Sequence, residues 1–308
     1  MKLVPSLDGN LLATPKFKDW LTYVNDFNRK YPRAAKSAAS AFTSHYGDDL
    51  SGNRRFSLML NAAVGNENTN ALALQLQTER WRDWTHKNIS PPKVFDFLLL
   101  NSDDALKNPL FTFWLKYLDE INARNPNYKM TLTGALSIGL GSNEKLAEVL
   151  ETGLSAHGTK AISTTLKNRV FAEWEAKEFT PDFVFENVLR LKKGYWDPNV
   201  PGLSDPILKF WLRYTHEFNH RHPRDSTTLL DTLRNNFADA SIVTMLVDSK
   251  TNPATEASAQ GLESLLFTKW LDENLSPRDI TRLVYADKSD EMLNKYTRLF
   301  QMKKPNVP

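Results

Sequence analysis

The chain has no cysteine among its 308 residues, which excludes disulfides and thiolate-bound metal and suits a reducing compartment. Its longest apolar runs are short, residues 97–100 being typical, far from the roughly 20 residues that cross a bilayer. The opening MKLVPSLDGN has no apolar core of a secretory signal, so the chain is expected to be cytosolic or to have lost its native N-terminus. A net charge of +3, with Lys and Arg scattered among acids, gives no ground for nucleic-acid or membrane binding. The 12 glycines form no phosphate-cradling loop, and neither a Ser/His/Asp set nor a paired-carboxylate site stands out. The residues therefore call for no cofactor. By length alone about two domains of ~150 residues would be expected.

What the chain does have is repetition. TPKFKDWLTYVNDFNRKYP, NPLFTFWLKYLDEINARNP and DPILKFWLRYTHEFNHRHP share Pro15, Pro109 and Pro206, each five residues before Trp20, Trp114 and Trp211. Tyr follows three residues after each Trp (Tyr23, Tyr117, Tyr214), Asn eight after (Asn28, Asn122, Asn219) and Pro twelve after (Pro32, Pro126, Pro223). A second pattern interleaves with the first: Trp84, Trp174 and Trp270 stand seven residues before Pro91, Pro181 and Pro277, each preceded by Ser or Thr. A small polar residue followed by Pro starts a helix, since its oxygen caps orphan N–H groups and Pro at the first position loses no hydrogen bond. Phe17, Trp20, Leu21, Val24 and Phe27 then make one apolar helical stripe, and the closing proline turns the chain.

This predicts an all-α tandem array, with Trp20, Trp84, Trp114, Trp174, Trp211 and Trp270 as core residues and the three asparagines bonded to the adjacent turn. TLTGALSIGLG, with three glycines, is the weakest helical stretch. Near the C-terminus DEMLNKYTRLF reads as a further Trp-type helix, with Tyr296 near the Trp position.

Residues 216–220, HEFNH, match the zinc-protease pattern H-E-x-x-H. The repeat argues against it. The positions of His216 and His220 hold Asn25 and Arg29 in the first copy and Asp119 and Ala123 in the second, so they belong to a variable solvent side. Glu217 corresponds to Asp26 and Glu120, an acidic position read as solvated surface. No third ligand is marked downstream, and no metal site is expected.

The pairing of a W-type helix with an L-type segment (residues 84–98, 174–189 and 270–283) resembles the tandem WY/LWY repeats of oomycete RXLR effectors, which Phytophthora species secrete and deliver into plant cells. In that register residues 11–68 form a WY unit, 69–157 and 158–255 two LWY units, and 256–308 a partial L segment and the start of a further W helix. The delivery motif that names the family is not in the sequence, as a trimmed chain from a longer array would have it. The resemblance implies a non-enzymatic adaptor acting in host cytoplasm or nucleus to suppress immunity. Some LWY arrays use an adjacent pair of units to hold the scaffold subunit of host type 2A protein phosphatase, in the manner of a regulatory subunit. Others suppress RNA silencing. No direct nucleic-acid partner and no membrane partner is implied.

The paired L and W tryptophans are 30 residues apart in the second unit and 37 in the third. Seven residues are therefore added in or near KKGYWDPNVPGLSDP, a Gly- and Pro-containing surface stretch. Its Tyr195 and Trp196 either cap their own bundle or form a contact hot spot, with Arg213, Arg221 and Arg224 as a polar rim.

Overall fold

The computed structural model describes residues 9–192, 199–284 and 286–303. All regular structure among them is helical. Residues 1–142 and 143–308 form two compact units.

The first unit holds α1 (Pro15–Lys30), α2 (Ala38–Tyr46), α3 (Leu50–Val64), α4 (Asn70–His86), α5 (Pro91–Phe97), α6 (Leu110–Arg124) and α7 (Leu132–Leu140). The second holds α8 (Asn143–Ser155), α9 (Lys160–Glu175), α10 (Pro181–Phe183), α11 (Pro206–Arg221), α12 (Leu229–Asn236), α13 (Asp239–Lys250), α14 (Glu256–Asp272), α15 (Pro277–Leu283) and α16 (Ala286–Lys303). The division falls inside the segment 69–157 because α8 packs along α9 and α11.

The helix starts follow from cap chemistry. Thr14 accepts from the Phe17 N–H at 3.2 Å, Asn108 from Leu110 at 2.9 Å, and Asp205 from Ile207 at 2.7 Å. Each closing proline opens a 3-10 turn, at Pro32–Ala34, Pro126–Tyr128 and Pro223–Asp225. Between the turn and the helix before it, one asparagine acts as a clip. Asn28 donates to Lys36 O (2.7 Å) and accepts from Lys36 N (3.0 Å). Asn122 does the same with Met130 (2.8 and 2.9 Å), and Asn219 with Thr227 (2.6 and 3.1 Å). A side-chain amide carries both a donor and an acceptor, so it replaces a missing backbone pair.

A buried threonine fixes the hairpin into each L-type helix. Thr69, Thr159 and Thr255 donate to Ala63, Gly153 and Ser249 carbonyls at 2.8, 2.9 and 2.7 Å. The glycine-containing segment is helical as α7 and packs against α5. Gly139 lies so close to the Phe95 ring that a Cβ there would stand 2.6 Å from it, and Gly141, at φ 101°, closes the helix in the left-handed region.

Candidate interaction surface

The repeated contact in this fold joins each L-type segment to the W-type helix after it. On α6, Trp114 is wholly buried and its indole N–H donates to Pro91 O at 2.8 Å; on α11, Trp211 donates to Pro181 O at 2.8 Å. Three residues further along, the Tyr117 and Tyr214 hydroxyls donate to Ile89 and Phe179 carbonyls at 2.6 and 2.5 Å. Those carbonyls lie five residues after Trp84 and Trp174, whose rings meet the tyrosines edge-on at 6.4 and 5.2 Å. Burial raises both phenols, Tyr214 to about 12.

The same frame corrects the reading of the C-terminal helix. Tyr296 donates to Leu275 O at 2.6 Å and meets Trp270 edge-on at 5.3 Å. Leu275 is five residues after Trp270, so Tyr296 holds the tyrosine position. Leu293 stands where the other copies have tryptophan, and α16 is a W-type helix without its tryptophan.

The acidic position six residues after each W tryptophan also does more than meet solvent. Glu120 accepts from the Trp81 indole N–H, and Glu217 from Lys167 Nζ. Both donors come from the preceding L-type helix, and Glu120 and Glu217 are half-buried. The seven-residue difference between units is likewise divided. A π-helical turn, Val184–Val188, absorbs one extra residue within the L segment, leaving six for the connection after Leu191. The turn keeps Leu189 and Leu191 buried, as Leu98 and Leu100 are.

Among the described residues no L-type segment lies against the frame in α1. Tyr23 is 66% exposed, where Tyr117, Tyr214 and Tyr296 are at most 1% exposed. Trp20 is half-buried rather than wholly buried, because Phe17 and Phe42 cover only part of its ring. Phe27 and Tyr31, at 36% and 48% exposure, continue an aromatic strip along the helix. The sequence stripe placed Phe27 inside, yet it borders an open cleft of about 450 Å³ with Trp20 and Tyr23.

The other residues singled out by sequence are not gathered in one place. Tyr195 and Trp196 lie outside the described residues. Arg213 forks onto the buried Glu151 at 2.7 and 2.9 Å, and this hydrogen-bonded pair raises the arginine further. Arg221 reaches Glu175 at 3.0 Å and Glu217 at 3.3 Å, and His222 shares Glu175 at 2.6 Å. Arg224 is exposed in the 3-10 turn. His216 and His220 both face solvent while Glu217 is tied to Lys167 and Arg221. Among the described residues no group of three or more His, Cys, Asp or Glu side chains could hold a metal ion. Among them, too, no helix is long and apolar enough to cross a membrane.

No family model matches the chain. It is 30% identical over 302 residues to the RxLR effector protein PSR2 of Phytophthora sojae, covering 96% of this chain and 43% of that protein. PSR2 of Phytophthora infestans is 31% identical over 291 residues, covering 94% and 36%. The chain belongs to the RxLR effectors of oomycetes. It spans less than half the length of these curated relatives. The crystal structure of PcRxLR12 matches with a TM-score of 0.59, 24% identity and coverage of 97% of this chain and 72% of that one. The all-helical effector fold is therefore shared.

Proposed function

We propose that this effector is a non-enzymatic adaptor, delivered into the host cytoplasm or nucleus, that suppresses immunity by holding a host protein. The partner we favour is the scaffold subunit of type 2A protein phosphatase, with the repeats standing in for a regulatory subunit. The observation that carries this reading is the likeness to PSR2 over nearly the whole chain, joined to the WY/LWY resemblance. Physically, the tryptophan–tyrosine frame of α6 and α11 and the asparagine clip fix these repeats from inside, so exposed side chains are free to differ and define a partner. Tyr195, Trp196 and Arg224 are the proposed contacts. Arg213 and Arg221 stand at the rim with their charges already engaged by glutamates.

Affinity purification from plant extract tests it, using the chain and a variant lacking residues 69–255. The phosphatase scaffold should come down with the first and not the second, and the purified scaffold should bind the purified chain directly. Trp196→Ala should then weaken binding by roughly 2 kcal/mol or more without moving the melting temperature. Recovery of a different host protein, with suppression of RNA silencing as the cellular effect, would replace the phosphatase reading.

A further inference from the structure

Four residues before its tryptophan, α4 carries Arg80, where α9 has Val170 and α14 has Leu266. All three are buried, Arg80 to 2% exposure. Its guanidinium lies 4.6 Å from the Phe56 ring centre and 4.4 Å from that of Trp84. Nη1 donates to Ser57 Oγ (3.1 Å) and Gln77 Oε1 (3.3 Å), and Nη2 to the backbone and side-chain oxygens of Asn53 (3.1 and 3.4 Å). Every acceptor is neutral, and among the described residues the Nε N–H has no partner. Burial pushes this arginine down to about 9. A position that takes an aliphatic side chain in the other repeats thus holds a buried cation that forms no ion pair among the described residues, a costly arrangement unless an anion supplies the missing charge.

The same residue borders a cleft of about 190 Å³ on the first compact unit. Lys87 and Lys93 also line it; both are exposed, and among the described residues neither is in an ion pair. Asp48 and Asp83 line it too, Asp83 accepting from the Ser37 hydroxyl at 2.7 Å. Three cations against two carboxylates leave the cleft net positive, which favours an anion, whose attraction grows in the low-dielectric surroundings of Arg80. A bare anion would meet two carboxylates, whereas a ligand that also carries hydroxyl donors satisfies them. The volume is below the ~300–1,000 Å³ of sites for drug-sized ligands, which sets the size at a small metabolite.

We propose that this cleft is a binding site for a small soluble phosphorylated polyol, its phosphate held by Arg80, Lys87 and Lys93 and its hydroxyls donating to Asp48 and Asp83. The site is independent of the host-protein partner.

Calorimetric titration of the full chain with inorganic phosphate, glucose 6-phosphate and glucose tests it. Glucose 6-phosphate should bind saturably and roughly tenfold tighter than phosphate, and glucose should not bind. Arg80→Leu uses the residue of the equivalent site in α14 and should weaken both anions at least about tenfold, while Asp83→Asn should weaken only glucose 6-phosphate. Should Arg80→Leu fail to fold, the exposed pair Lys87→Gln and Lys93→Gln must show the same loss. Absence of saturable binding at about 10 mM of either anion, or unchanged affinity in the lysine pair, overturns the site. Equal affinity for phosphate and glucose 6-phosphate overturns the polyol, and binding only to vesicles bearing phosphatidylinositol phosphate overturns the soluble ligand.

Discussion

Helix α1 and helices α6 and α11 share one sequence pattern, yet their surfaces differ. All three carry Trp, then Tyr, then Asn at fixed offsets, and all three close the asparagine clip. Among the described residues only α6 and α11, of these three, have an L-type segment laid against the tryptophan and tyrosine. There both aromatic side chains are buried and their polar atoms reach backbone carbonyls of that segment. In α1 the tyrosine stands in solvent, and the acid six residues after the tryptophan, Asp26, turns to Arg29 on its own helix at 2.6 Å. Helical spacing therefore sets which residues share a face, and the neighbouring segment sets what that face contributes.

The widest separation should come from the tryptophans. Trp114→Ala removes a wholly buried ring and its hydrogen bond, and should destabilise the first compact unit by roughly 3–5 kcal/mol. Trp20→Ala removes a half-buried ring and should cost about 1–2 kcal/mol. Urea unfolding of the two variants decides: equal losses would mean that the L-type segment adds nothing to the tryptophan position.

This difference also marks what could be read from sequence. The offsets within a helix were legible, since caps, closing prolines and the asparagine clip are all local. Contacts over longer separations were not. Nothing near Glu217 announces Lys167, 50 residues earlier, nor does Arg213 announce Glu151, 62 residues earlier. Tyr296 misled because the pattern led one to seek a large aromatic at the tryptophan position, whereas Leu293 fills it; the bond to Leu275 O fixes the register. The π turn escaped notice because one inserted residue leaves the apolar composition of an L segment unchanged. Gly139 looked like a helix weakness, and only the approach of Phe95 shows that the small residue is needed. Of the proposed contacts, the sequence marked the insertion that carries Tyr195 and Trp196, while two of its three rim arginines proved to be occupied.

The asparagine clip should behave alike in both kinds of helix, because it does not involve the L-type segment. Asn219→Ala and Asn28→Ala each lose two hydrogen bonds, at about 1 kcal/mol apiece, for about 2 kcal/mol in total. Asn219→Ala should stay close to the upper figure, since its clip is half-buried, and the exposed clip of Asn28 somewhat below it. Thermal melts of the pair sharpen the comparison: a loss confined to Asn219→Ala would tie the clip to the L-type segment after all.

Removing one hydroxyl is a finer probe. Tyr214→Phe leaves the Phe179 carbonyl without its donor and should cost about 1 kcal/mol, whereas Tyr23→Phe, on an exposed ring, should cost nothing measurable. The pH dependence follows with a definite sign. Tyr214 and Tyr296 hold their protons up to about 12 in the folded chain, against ~10 when unfolded. Between these values the folded state binds more protons, so this stability is fully present below pH ~10 and is lost as pH rises toward 12. Denaturant titrations at successive alkaline pH should show that loss, and Tyr214→Phe should have a shallower one. An equal slope in the variant would exclude Tyr214 as a source.

The smallest effect is expected where the helices agree. Five and nine residues after the tryptophan, α1 has Asn25 and Arg29, α6 has Asp119 and Ala123, and α11 has His216 and His220. All six side chains are exposed, so the presence of an L-type segment makes no difference at these positions. Replacing both histidines by Ala should leave stability within about 0.5 kcal/mol of the parent, as for surface sites without special contacts. A zinc-protease site would behave otherwise, since bound metal stabilises the folded state by mass action. The double variant should therefore melt with the parent both in added zinc and in chelator, and elemental analysis of the purified parent should find no stoichiometric zinc. One zinc per chain, lost together with several degrees of melting temperature in the variant, would place these two histidines in a metal site and end their reading as a variable solvent face.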